Sequence, residues 1–173
     1  MKQINKIVAS IIVIAATFST ANAQSTATAS ASATIVTPIS IVKNVDMNFG
    51  NIAVTNSGGS VILAPAGSRT ATGGVKLPVV AGTVSAAAFT VSGQSAYTYD
   101  ITLPSGNIVL ASGANSMNVN TFTASIGLTA GALSTGSTGT QSFSVGATII
   151  VSANQAAGTY TTATPFNVTV NYN

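Results

Sequence analysis

The sequence predicts an all-β protein, an antiparallel β-sandwich of immunoglobulin-like layout. Three observations support this fold class. Apolar and polar residues alternate over short runs, as they do in strands with one buried face. Clusters of Gly, Pro, Asn and Ser recur about every 8–12 residues, which separates about eight or nine short strands. No helical period occurs beyond the N-terminal segment, so we expect no helix in the mature chain.

The N-terminal segment has the features of a cleaved secretory signal. Two lysines precede an apolar run over residues 7–18, and a small-x-small motif ends at Ala23. We therefore expect cleavage between Ala23 and Gln24, removal of residues 1–23, and export through the inner membrane. The apolar run is shorter than the roughly 20 residues that span a bilayer, and no later segment is long enough to serve as a transmembrane segment.

The mature chain begins with a strand-patterned segment, Gln24–Ile41. Apolar side chains alternate with hydroxyl side chains, which is the period of an extended strand. The apolar ribbon consists of Ala27, Ala29, Ala31, Ala33 and Ile35 and continues to Ile39 and Ile41. A strand at a chain end needs a sheet edge to lie on, either in its own domain or in a neighbouring molecule. We divide the mature chain into an N-terminal extension, residues 24–34, and a single sandwich domain, residues 35–173.

The first half of the domain predicts short strands separated by glycine turns. The predicted strands are Val45–Ile52, which bends at its glycine, Ser60–Pro65, and an edge or bulged strand over Gly74–Val80 that contains Lys76 and Pro78. The predicted turns are Asn56–Gly59, Ala66–Ser68 and Thr72–Gly74.

The second half predicts longer strands with clearer alternation. Its strands are Ala87–Gly93, with Ala87, Phe89 and Val91 inward; Tyr97–Leu103, the central strand; Ile108–Ala111; Met117–Ala124; a run with Phe143, Val145, Ala147, Ile149 and Val151 inward; and a last strand with Phe166, Val168, Val170 and Tyr172 inward. Gly131–Thr140 is rich in Gly, Ser and Thr and predicts a flexible surface loop.

The residue inventory argues against catalysis. The chain has no His or Cys and only two carboxylates, Asp46 and Asp100. A Ser-His-Asp arrangement is therefore impossible, and clustered carboxylates for a metal are lacking. We expect Asp46 to pair with Lys43 on the surface and Asp100 to face water. The chain is expected to be no enzyme and to bind no cofactor or metal.

The mature chain is almost uncharged. Three cationic and two anionic side chains remain after cleavage, a net charge of +1. No basic patch could neutralise phosphates, so nucleic acid is not an expected partner. A surface of neutral Ser, Thr and Asn is unusual for a soluble monomer, but it is tolerated in an assembly.

A set of short motifs in fixed order resembles a family of secreted bacterial domains of unknown function. The motifs are Ala-x-Ala-x-Ile-Val-x-Pro-Ile-x-Ile (31–41), Asp-Met-Asn-Phe-Gly (46–50), Gly-x-x-x-x-Val (146–151), Ala-Gly-Thr-Tyr (157–160) and Val-Thr-Val-Asn-Tyr (168–172). That family is similar to spore-coat-protein-U-type and Mat/Ecp-type fimbrial subunits. The chain departs from many fimbrial subunits in having no cysteine, and hence no disulfide near the first strand.

The resemblance implies a pilin-like sandwich that is one strand short and is handled by a periplasmic chaperone and an outer-membrane usher. The missing strand would come from the N-terminal extension of a sister subunit. In this chain, Ala27, Ala29, Ala31 and Ala33 are the candidate donor residues, and Ile35 lies at the junction with the domain. The subunit would pass through the periplasm and end in a fimbrium at the cell surface or outside the cell.

Two other functions compete with a fimbrial subunit. One is a monomeric secreted binding module or adhesin for a glycan or a surface, in which the extension pairs within its own domain or serves as a tether. The other is a small outer-membrane β-barrel, because barrel strands also alternate. Many of the candidate strands, however, fall short of the roughly 9–11 residues that a transmembrane strand needs.

Overall fold

The computed structural model describes residues 23–173, so the predicted signal lies almost wholly outside the described residues. The chain divides into two units, residues 1–35 and residues 36–173. In the first unit, residues 23–35 contain no strand and every one of them is exposed. The strand predicted over Gln24–Ile41 is formed only from Ser40 onward. Alternation marks a segment that can be a strand, but its backbone N–H and C=O groups also need a partner edge.

The second unit is an all-β antiparallel sandwich, as the alternation predicts. Its strands are β1 (Ser40–Val45), β2 (Ala53–Leu63), β3 (Arg69–Lys76), β4 (Ala87–Gly93), β5 (Thr98–Thr102), β6 (Ile108–Ser112), β7 (Asn115–Ala124), β8 (Gly131–Ala132), β9 (Gly139–Val151), β10 (Thr161–Thr162) and β11 (Thr169–Tyr172). Residues 23–173 contain no helix, and thus none that could cross a membrane.

Strand β9 organises the larger, eight-stranded sheet. One edge of β9 pairs with β7, and the sheet continues through β6 to β10. The other edge pairs with β4 over its first half and with β2 over its second half. Strand β1 extends the sheet beyond β4, and β3 extends it beyond β2. The smaller sheet has three strands in the order β11-β5-β8.

The core falls into two clusters along β9. The first lies where the three-stranded sheet packs on the β1-β4-β9 part of the larger sheet, and Phe89 stacks there on Phe143 with ring centroids 5.5 Å apart. The second belongs to the β2, β3, β7 and β9 part. Its buried members are Phe49, Val61, Leu63, Val75, Val119, Ala147, Ile149 and Val151. The three-stranded sheet therefore packs on one part of the larger sheet and contributes no described buried residue to the core cluster of the other part.

The strands with the strongest alternation are confirmed. Predicted strand Ala87–Gly93 is β4, and its three inward residues are buried. All five inward residues predicted for β9 are buried as well. Strand β5 buries Tyr99 and Ile101, but Tyr97 lies before the strand and is 43% exposed. The strand predicted over Val45–Ile52 is reduced to an isolated bridge between Asn48 and Ser85.

Two predicted turns are wrong, because their glycines lie inside strands. Asn56–Gly59 belongs to β2 and Thr72–Gly74 to β3. The two strands pair with a register shift between Val54 and Gly59, and Gly73 has φ 61° opposite Gly59. A Cβ on Gly59 would overlap the Thr72 carbonyl. These glycines permit a close approach at a bulge instead of a chain reversal. The edge strand predicted over Gly74–Val80 is mostly wrong, because only residues 74–76 lie in a strand, at the end of β3. Strand β3 itself pairs only with β2 in the described chain.

The predicted loop Gly131–Thr140 is shorter than expected. Its first two residues form β8 and its last two begin β9. Leu133 is 4% exposed and belongs to the first core cluster. This single large apolar side chain anchors the segment, although glycine, serine and threonine dominate its composition.

Tyr99 provides a test of the core through its alkaline titration. Its hydroxyl donates to the Gln141 side-chain oxygen at 2.7 Å, and that oxygen also accepts the Ala132 N–H at 2.8 Å. Burial raises the pKa of Tyr99 above its ordinary value of 10.0. Above pH 10 the unfolded chain therefore releases this proton before the folded chain does, and stability falls as pH rises.

We expect Tyr99→Phe to remove the part of the alkaline fall in stability that comes from this hydroxyl. One such group contributes a slope of at most about 1.4 kcal/mol per pH unit. The substitution should cost about 1 kcal/mol at neutral pH, because Gln141 keeps its backbone donor. Urea unfolding of both proteins measures the slope and the stability difference. The pH is varied from about 8 to about 11.5, a range that brackets the ordinary tyrosine pKa of roughly 10. Equal alkaline slopes for the two proteins would contradict the prediction.

Candidate functional site: an uncovered apolar groove

A groove of about 1150 Å³ runs along the inner face of the larger sheet. It lies over the second core cluster, to which no described residue of the three-stranded sheet belongs. The walls are instead two mostly irregular segments, residues 46–54, which run into β2, and residues 155–168, which include the two-residue strand β10. The domain is thus two-layered at one end, whereas mostly irregular chain borders its core at the other.

The groove exposes apolar side chains that a complete sandwich would bury. Its floor comes from β6, β7 and β9 and includes the buried Val119, Ile149 and Val151. Ten further apolar side chains line the groove and are only half-buried. They are Ile41, Met47, Ile52, Val54, Ile108, Leu110, Met117, Phe122, Phe166 and Val168. An apolar surface of this kind marks a binding site or an aggregation hazard.

The first wall, residues 46–54, is rigidly held. Arg69 donates through Nη1 to the Phe49 carbonyl at 2.5 Å and to the Asn51 carbonyl at 3.0 Å. Between them Gly50 has φ 67°, a conformation that favours glycine. The Asn51 N–H also donates to the Ala81 carbonyl at 2.7 Å. The only arginine of the chain therefore fixes one side of the groove and forms no salt bridge within the described residues.

The second wall, residues 155–168, is held mainly at its start. The Gln155 amide donates to the Tyr160 hydroxyl at 2.9 Å, and that hydroxyl donates to the Ala156 carbonyl at 2.7 Å. Strand β10 adds two residue pairs with β6. Within the described chain, residues 163–168 form no backbone–backbone hydrogen bond. Phe166 packs on Phe122 with ring centroids 5.1 Å apart, so side chains alone seat this part of the wall.

Two strand edges border the groove. In the part of the chain that the structure describes, β1 pairs only with β4 and β11 pairs only with β5. Ile41 and Lys43 of β1 line the groove, as do Asn167 and Val168, which precede β11. The last predicted strand is accordingly shorter than expected and begins at Thr169. Phe166 and Val168 keep the alternation, but their backbone forms no backbone–backbone hydrogen bond with any other residue in 23–173.

The two edges are joined at one end by a hydrogen-bonded clamp. The Tyr172 hydroxyl donates to the Thr37 carbonyl at 2.8 Å and accepts the Gln94 N–H at 2.6 Å. The Thr37 N–H donates in turn to the Gln94 side-chain oxygen at 3.1 Å. Both polar backbone groups of Thr37 are thereby held just before β1. The clamp closes one end of the cleft between β1 and β11.

The charged side chains that line the groove, Lys43 and Asp46, are exposed. Lys43 and Asp46 pair at 2.5 Å, as the sequence predicts, and their side chains are 54% and 81% exposed. An ion pair this exposed contributes little to stability. Asp100 lies on an exposed position of β5 and does not line the groove. The groove therefore offers apolar packing and open backbone edges to a ligand.

The sequence-predicted site residues all lie in the first unit. Ala27, Ala29, Ala31, Ala33 and Ile35 are exposed, and Ile35 is 97% exposed. The signal-cleavage residues Ala23 and Gln24 are also exposed. The sequence predicted a sandwich that is one strand short, but it did not identify the side chains of β6, β7 and β9 that line the groove. The detectable signal was the motif order around residues 46–50 and 157–160, both of which became groove walls.

Fold and site together define an all-β sandwich domain with an uncovered apolar groove. The chain belongs to the family described as a domain of unknown function, DUF4402, which matches residues 39–172. The matched region takes in both walls of the groove, its floor and both bordering strands. No curated protein and no solved structure matches the chain.

Proposed function

We propose that this chain is the structural subunit of a fimbria-like extracellular polymer assembled by donor-strand exchange. The observation that carries the proposal is the apolar groove between two strand edges that each pair on one side only. A strand laid in such a groove would pair its backbone with β1, with β11, or with both, and would pack alternate side chains on the floor.

The N-terminal extension of a second copy is the proposed occupant. Its apolar ribbon, Ala27, Ala29, Ala31, Ala33 and Ile35, has the period of two that a strand needs to present one face to a floor. Ile35 is the large exposed side chain of that ribbon. A head-to-tail contact between an extension and a groove does not close on itself, so it propagates as a filament.

Export partners follow from the same groove. An open apolar groove beside free strand edges would cause aggregation during transit through the periplasm. We therefore propose that a periplasmic chaperone covers it and that an outer-membrane usher replaces the chaperone with a sister subunit. The assembled chain would then lie at the cell surface or outside the cell.

The first test compares a mature chain that begins at Gln24 with one that begins at Ile35. We expect the longer chain to form ladders on unheated SDS gels and fibres in negative-stain electron microscopy, and the shorter one to remain monomeric. A synthetic peptide of residues 24–35 should bind the shorter chain and raise its Tm. At a peptide concentration a hundred times Kd, binding should add about 2.7 kcal/mol to the free energy of unfolding. If both chains are folded monomers of equal stability, donor-strand exchange is excluded and a secreted binding module becomes the better hypothesis.

A matched pair of variants tests the register of the donor strand. Ala29→Asp with Ala31→Asp places two carboxylates on the apolar ribbon, and Ser30→Asp with Ser32→Asp places them one residue away on the hydroxyl ribbon. Only the first pair would bury charge in the groove, so only the first should abolish fibres. Loss of fibres in both variants would show that charge on the extension matters more than register.

A further inference from the structure

The outer face of the larger sheet presents two parallel rows of side chains. Both rows cross β3, β2, β9 and β7, and the first reaches β6. The first row is Thr72, Ser60, Ile150, Asn118 and Val109, and the second is Thr70, Ile62, Thr148 and Asn120. Their strand neighbours Val61, Val119 and Ile149 are buried. Alternation therefore directs both rows outward.

Neither row contains an ionisable side chain. Lys43 and Asp46 line the groove, and Arg69 donates to the carbonyls of the first wall. The Ser, Thr and Asn side chains of the rows can each donate and accept hydrogen bonds. Between them Ile62, Val109 and Ile150 are 44%, 51% and 42% exposed. Two more exposed aliphatic residues, Val42 and Val45, lie on β1 of the same sheet.

We propose that this face binds the same face of a second copy of the chain. Charged rows would repel their own copy, but the two rows are uncharged, and their combined donors and acceptors are complementary to themselves. Lys76, which follows the buried Val75, is on the same face at the end of β3 and lies beyond the rows. Face-to-face packing of two sheets is a common arrangement, with the sheets about 10 Å apart. The exposed isoleucines and valine would supply the apolar part of the contact.

The size of the face determines when this contact forms. With strands about 4.8 Å apart and rows about 6.7 Å apart, the nine positions of the two rows cover roughly 300 Å². A stable pairwise interface buries about 800 Å² on each partner. Single chains therefore do not pair through this face, whereas arrays of chains associate through many weak contacts at once. In the proposed polymer, which this point presupposes, the face joins filaments side by side.

The test separates lateral contact from polymer formation. We compare the wild-type chain with Ile62→Lys/Ile150→Lys and with a control, Thr98→Lys/Thr102→Lys, which adds the same charge at exposed positions of β5. The beads carry each protein without residues 24–34, so that donor-strand exchange cannot join them. Beads coated densely with the wild-type protein should clump, and so should beads with the control. Beads with the isoleucine variant should stay dispersed. Clumping of the isoleucine variant to the wild-type extent would overturn the proposal, as would dispersed wild-type beads.

Electron microscopy of filaments supplies the second readout. Wild-type and control filaments should lie in bundles, and the isoleucine variant should give single filaments of the same length. Wild-type filaments that never bundle would overturn the lateral contact and leave the proposed polymer intact. Wild-type beads that clump, together with wild-type chain that never forms filaments, would support the lateral contact and overturn the proposed polymer.

Discussion

Replacing Gly146 with alanine should lower the free energy of unfolding by about 3 kcal/mol. Gly146 is buried in the middle of β9, where the chain leaving β2 crosses over it. A Cβ at this position would overlap the Leu63 carbonyl oxygen and the backbone of Ala64 and Pro65. Backbone on a central strand cannot move aside as a flexible side chain can. Either β2 shifts away from β9 or the crossing segment unfolds locally.

Urea unfolding measures this effect, and Gly106→Ala is its matched control. Gly106 lies in the turn before β6, and a Cβ there would meet nothing within 4 Å. The control should therefore differ from the wild type by no more than about 0.5 kcal/mol. A Gly146→Ala protein as stable as the control would show that the crossing adjusts freely. An insoluble Gly146→Ala protein beside a soluble control agrees with the prediction.

The strands that sequence alone predicts best are those with one buried face and one exposed face. In β4 and β9 a shift of one residue would turn every apolar side chain to water, so the pattern fixes both strand and register. Phe89, Val91, Phe143 and Val145 are buried where alternation places them. The β4 and β9 part of the first core cluster was predictable for this reason, whereas Leu133 was not.

The glycines of β2 and β3 show where local pattern fails. Asn56–Gly59 and Thr72–Gly74 have the composition of turns, because glycine is needed wherever φ is positive. Here Gly59 and Gly74 are needed because two backbones approach each other at a bulge, and Gly73, with φ 61°, meets both demands within the paired strands. A single sequence does not distinguish these two demands on glycine, since the second arises only once the strands have paired.

The groove depends on topology more than on local pattern. Alternation places Leu110 and Met117 on an inward face, and both are indeed directed to the second cluster. Whether a second layer covers them depends on where β11 and the three-stranded sheet lie, which is a long-range outcome. The donor residues of the extension are the converse case. Their pattern is evident in the sequence, and their partner stays a prediction.

The largest effect on assembly is expected from a charge on the groove floor. Leu110→Asp places a carboxylate among half-buried apolar side chains, and the open groove leaves it hydrated in the monomer. An inserted strand would remove that water and leave the charge unpaired, because Lys43 already pairs with Asp46. The cost is about 3 kcal/mol or more, which weakens subunit–subunit binding at least about a hundredfold. Fibres should be lost, while the monomer keeps its fold.

The neighbouring residue on the same strand is the matched control. Val109 is 51% exposed on the outer face, so Val109→Asp adds the same charge without touching the groove. Its fibres should match the wild type in length, although they should bundle less if the outer face joins filaments. Fibre length and bundling are counted by electron microscopy, and urea unfolding confirms that both variants are folded. Equal fibre formation by Leu110→Asp and Val109→Asp would exclude the groove as the acceptor.

A second pair on β7 keeps this test decisive if Leu110→Asp destabilises the domain. Met117 pairs with Leu110 across the strands and also lines the groove, and Asn118 follows it on the outer face. Met117→Asp should abolish fibres, and the nearly isosteric Asn118→Asp should not. Two strands would then show the same alternation, with loss of assembly at the inward residue and none at the outward one. Only a partner that occupies the inner face of the larger sheet produces that pattern.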